Sequence, residues 1–87
     1  MKVSLNDGYE VQINDKCLND WNFFTTLRKI DKGDTVLIVD AAEILLGGEE
    51  EVNKLAEHLK VDGITPADAM LSAVSELITT IKELKNS

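Results

Sequence analysis

The 87-residue chain has one cysteine (Cys17), one histidine (His58), one proline (Pro66) and four aromatic residues, and each scarcity excludes something. A lone cysteine permits no intrachain disulfide and suits a reducing cytosol. One histidine and one cysteine rule out a histidine-based metal cluster and make a zinc site implausible, so no cofactor is expected. One proline and five glycines, against 44% hydrophobic and 29% charged residues, argue for a chain that folds. Basic residues are also short, 9 against 16 acids for a net charge of -7, which repels phosphate backbones and removes the counterion release that drives nucleic-acid binding. The acid excess is spread evenly, without an acidic tail or a basic arm. No apolar run approaches the ~18 residues of a membrane span, and Met1 to Asp7 lacks the apolar core of a signal peptide. A soluble cytoplasmic protein is the expectation.

What is present reads as one domain with a mainly α fold and a small N-terminal β-hairpin, about four helices around one core. Domains this small bury only about 60 to 65% of the surface their unfolded chains expose, so a partner or homo-oligomer would add stability. Asp7-Gly8 lies between the alternating runs Lys2 to Leu5 and Tyr9 to Ile13, which predicts a hairpin over about 2–13 with both central turn residues at positive φ. A two-stranded hairpin is marginal alone, so one face must lie on helices.

Asn19 or Asp20 can cap a helix over about 20–30, where Trp21, Phe24, Leu27 and Ile30 share a face. The cluster Trp21, Phe23 and Phe24 reads either as a core anchor or as an exposed aromatic contact patch. Over 35–46, Val36-Leu37-Ile38-Val39 suits a buried strand, whereas Ala41 to Leu46 prefers a helix. Asp34 as cap and Gly47-Gly48 as stop favour one helix. Glu49-Glu50-Glu51 opens a third helix, about 49–60, with Val52, Leu55, Ala56 and Leu59 buried. Asp62-Gly63 ends that region, and Thr65 as cap with Pro66 at the first helical position opens the last helix, about 66–85. Its apolar stripe, Ala67, Met70, Leu71, Val74, Leu77, Ile78, Ile81 and Leu84, is the clearest pattern in the chain.

Catalytic chemistry is missing. No nucleophile stands beside a base, Asp40 and Glu43 lack a partner group, and His58 falls on a helix flank. Gly47-Gly48 is followed by three glutamates that would repel a phosphate, and the Asp31 to Asp34 turn lacks the further oxygen ligands that calcium needs. A non-enzymatic binding module is expected.

The hairpin, Asp20-Trp21-Asn22-Phe23-Phe24, Ile30-Asp31-Lys32-Gly33-Asp34, Ile44-Leu45-Leu46-Gly47, Leu55-Ala56-Glu57-His58-Leu59 and Ile64-Thr65-Pro66 together resemble the small tail assembly chaperones of long-tailed phages and prophages. The resemblance covers most of the chain and implies a protein that binds the tape measure protein, keeps its hydrophobic helices soluble, and helps tail tube subunits polymerise around it. Such a protein works in the cytoplasm of the bacterial host and leaves the finished tail. Thr35 to Val39 departs from the resemblance, being more β-branched than the leucine- and alanine-rich helix it implies.

Within the last helix, Ala67, Met70, Leu71 and Val74 are expected to pack under the hairpin and the Trp21 helix. Leu77, Ile78, Ile81 and Leu84, with Trp21 and Phe24, are then the candidate partner contacts. The alternative function is an acidic inhibitor or adaptor that mimics nucleic acid on a basic site of a host or phage protein.

Overall fold

Two short antiparallel strands, β1 (Lys2–Ser4) and β2 (Glu10–Gln12), pair with Val3 opposite Val11. The computed structural model describes residues 1–86, with side chains through Glu83. The turn differs from the predicted one: it is a three-residue loop, Asn6-Asp7-Gly8, closed by Gly8 N–H to Leu5 O at 2.9 Å and Leu5 N–H to Tyr9 O at 2.9 Å. Only Gly8 has positive φ, at 90°, as in a type I turn followed by a bulge glycine. Asp7 keeps negative φ because its carboxylate accepts the Tyr9 N–H at 2.9 Å and so fixes the loop from within. The second Asp-Gly pair has the geometry expected of the first. Asp62 (φ 52°) and Gly63 (φ 82°) both lie at positive φ between Val61 and Ile64, whose backbones exchange hydrogen bonds at 2.8 and 3.1 Å.

A 3₁₀ turn, Asp15–Asn19, leads to α1 (Trp21–Asp31), whose start is capped by Asp20 accepting the Asn22 N–H at 2.9 Å. The stretch with mixed helix and strand preferences is helical throughout, a 3₁₀ turn over Thr35–Leu37 and then α2 (Ile38–Leu46). Asp34 makes no side-chain cap bond there. Gly47, at φ 83°, ends α2, and both Gly47 and Gly48 donate to Glu43 O. Asn14 reaches across from the hairpin and donates to the α2 carbonyls of Leu45 (backbone N–H, 2.8 Å) and Ile44 (side chain, 3.3 Å), partnering carbonyls the helix end leaves open.

Helix α3 (Glu49–Leu59) and helix α4 (Ala67–Asn86) complete the fold, with α1 packed on α2, α2 on α3, and α4 against both α2 and α3. Thr65 does not serve the N-terminus of α4 as expected. Its hydroxyl donates to Ala56 O at 2.9 Å, so it closes the last turn of α3. Pro66 still stands at the start of α4, where its carbonyl accepts from Met70 N–H.

The core gathers Ile13 from the hairpin end, Phe23 from α1, Leu45 from α2, Leu55 from α3, and Leu77 and Ile81 from α4, each at most 1% exposed. The hairpin is fastened to this helical body. His58 Nε2 lies 2.8 Å from Asp7 Oδ2, its ring stacks on Tyr9 at 3.8 Å, and Asn6 N–H donates to Glu76 at 2.9 Å. The mainly α fold with a β-hairpin is thus as the sequence implies.

Candidate functional site

The apolar stripe of α4 is longer than the core beneath it. Ala73, Val74, Leu77, Ile78 and Ile81 are buried, whereas Leu71 and Ala67, one and two turns before Val74, are exposed and Met70 is half-buried. Helix α2 has a similar surplus: Ile38, Ala41, Ala42, Leu45 and Leu46 face the core, while Val39 remains 61% exposed and Val36, in the preceding 3₁₀ turn, 78%. A helix apolar nearly all round needs cover on more than one side.

These two surpluses meet. Ile38, Val39 and Ala42 of α2, Val52 of α3, and Ala67, Met70, Leu71 and Val74 of α4 line an open groove of about 300 Å³. Every lining side chain is apolar, and the alanines at 42 and 67 leave the space that larger side chains would fill. The tight Gly47-Gly48 turn sets α3 beside α2, and the Val61 to Ile64 turn brings α4 back across both, so the groove follows directly from the connections. A second depression of about 260 Å³ on the hairpin side, between Leu5, Leu59 and Ala73, has a partly polar lining in which Asn6 N–H already donates to Glu76.

The sequence-predicted contacts divide. Trp21 is 79% exposed at the start of α1, and Phe24 is half-buried, tilted against Phe23 with ring centroids 5.8 Å apart. Leu77, Ile78 and Ile81 are core residues, at 0%, 7% and 1% exposure, which corrects the expectation that this end of the helix projects outward. The side chain of Leu84 lies outside the described residues. The assignment of the two ends of α4 is therefore inverted: Ala67, Met70 and Leu71, expected under the hairpin and the Trp21 helix, stand at the open groove. Periodicity identifies a face and is blind to which part of that face a neighbour covers. Val39 was missed as well, although a signal for it existed in the unbroken apolar run Val36 to Val39, too apolar for a helix buried on one side.

Elsewhere, Asp31, Cys17 and Asp7 are each paired or buried. Asp31 pairs with Lys82 at 3.1 Å. Burial, reinforced by Asp15 and Asp20, raises the Cys17 thiol above its ordinary value. The Tyr9 N–H and then His58 hold the Asp7 carboxyl below its usual range. Among the described residues, no group of three or more histidine, cysteine, aspartate or glutamate side chains could hold a metal, and no helix is long and apolar enough to cross a membrane. Comparison with protein-family models, with curated proteins and with solved structures gives no match.

Proposed function

We propose that this chain is a non-catalytic tail assembly chaperone of a long-tailed phage or prophage, which holds apolar helical segments of the tape measure protein while tail tube subunits polymerise around it. The open apolar groove between α2, α3 and α4 is the observation that carries the reading. Grooves of this kind accept the apolar face of an amphipathic helix through anchors at i, i+3, i+4 and i+7. Val39 and Leu71 flank the opening and contribute contact area, with Trp21 as a second anchor on α1. The net charge of -7 keeps the complex in solution once the client's apolar surface is covered. On this reading the protein acts in the host cytoplasm and is released before the tail is complete.

Co-expression with the tape measure protein encoded beside it tests the reading. The client is expected to stay soluble and to co-purify with the chain, and Val39→Asp or Leu71→Asp should abolish capture without loss of helical content. A client that aggregates equally with and without the chain would refute it. A nucleic-acid mimic, in contrast, would keep its partner in the Leu71→Asp variant and release it in high salt.

A further inference from the structure

All nine lysines and arginines lie outside two stretches of the chain, 33–53 and 61–81, and those two stretches supply every residue that lines the groove. The same stretches hold nine of the 16 acids. Three of these acids stand one helical turn from groove residues: Glu43 after Val39, Glu49 before Val52, and Asp68 before Leu71. All three are exposed, and none forms an ion pair among the described residues. Four of the nine bases are held in ion pairs, Lys2 with Glu10, Lys54 with Glu51, Lys60 with Glu57 and Lys82 with Asp31.

We infer that the groove's occupant is an amphipathic helix of another protein whose apolar face is flanked by lysine or arginine. The inference rests on reading the groove as a docking site and specifies the chemistry of what docks. An apolar floor gives affinity without regard to charge, whereas a rim of unpaired carboxylates rejects acidic flanks and rewards basic ones. A second copy of this chain is a poor occupant. It would bring another net charge of -7 and, in a two-fold contact, set the same acids against each other. Each exposed ion pair contributes a factor of about 1.4 to 5 in affinity, so three formed together amount to about threefold to a hundredfold.

Two synthetic helices of about 18 residues with the same leucine face, one flanked by lysine and the other by glutamate, provide the test. Binding to the full chain is measured by fluorescence anisotropy at about 0.05 M and about 0.5 M salt. The lysine helix is expected to bind about threefold or more tightly at low salt, with the preference collapsing at high salt. It should also collapse in the Glu43→Gln, Glu49→Gln double variant, whose side chains hold no other element in place. Leu71→Asp should remove binding of both helices, with far-UV circular dichroism confirming the fold.

Equal binding of the two helices, lost together in Leu71→Asp, would overturn the charge inference and leave the docking site standing. A lysine preference that survives Leu71→Asp would also overturn it, by placing the contact on another acidic surface. If neither helix binds and sedimentation shows a dimer that Leu71→Asp dissociates, the occupant is a second copy and the inference fails. If neither binds and the chain is monomeric, the docking reading fails with it.

Discussion

Truncating Leu77 separates a core residue from a contact residue by stability alone. Leu77 is 0% exposed on α4, and Leu77→Ala deletes three carbons worth about 2.4 kcal/mol of transfer free energy at ~0.8 kcal/mol each. The surrounding helices relax only in part, so the residual cavity brings the expected loss to about 3 to 4 kcal/mol. For 87 residues at about 0.05 to 0.15 kcal/mol each, total stability is about 4 to 13 kcal/mol, and the variant sits near the edge of folding. Its Tm should fall by about 12 to 30 °C. Leu71→Ala, at 42% exposure in the groove, should cost under about 1 kcal/mol. Urea unfolding followed by far-UV circular dichroism measures both, with equal m values required for the comparison. Trp21 fluorescence is a poor probe because that side chain is already exposed. If Leu77→Ala unfolds within about 1 kcal/mol of wild type, or Leu71→Ala proves the more damaging, the order of core and groove along α4 is refuted.

Three further outcomes are expected. The Asp7 carboxyl is held down first by the Tyr9 N–H and then by His58, so its folded pKa lies below the unfolded one. Its contribution is therefore complete above the unfolded value and lost as pH falls through the folded one. Carbon-13 NMR titration of Asp7 should give a midpoint below that of an ordinary aspartate, and Asp7→Asn should narrow the stability gap between neutral and acid pH; an ordinary midpoint would show that the hairpin loop is not latched as described. Cys17, 1% exposed with its thiol pushed up by burial, should react with Ellman's reagent only on unfolding, the rate tracking the fraction unfolded across a urea series. Gly47→Ala should destabilise by about 1 to 2 kcal/mol, because φ of 83° is costly for any residue with a Cβ even though the nearest atom to that Cβ, Asn14 Cβ, is an acceptable 3.5 Å away. An unchanged denaturation midpoint would contradict the left-handed stop of α2.

Much of the fold is legible in local chemistry. Asp20 caps α1, Gly47 stops α2, the three glutamates open α3, and the long stripe marks α4, since each acts on groups within a turn of itself. Where a choice depended on distant groups, local reasoning chose wrongly. Thr65 has two open helix ends within reach, and it serves the carbonyl of Ala56. The two Asp-Gly pairs look alike in sequence, yet the first forms a bulged three-residue loop latched to His58 and the second a tight two-residue turn. The run Val36 to Val39 has strand-like side chains, yet it is helical, as the helix expected over about 35–46 had it.

The sequence by itself determined that this chain is an acidic, mainly helical protein with a β-hairpin at its start and more apolar helix surface than one small core can use. Periodicity, capping residues and charge are properties of the chain over a few residues, and they fix elements and faces. Which stretch of an apolar face is covered is a property of how helices of unequal length cross. Only the tertiary structure decided that Leu77, Ile78 and Ile81 fill the interior while Val39 and Leu71 border an open groove.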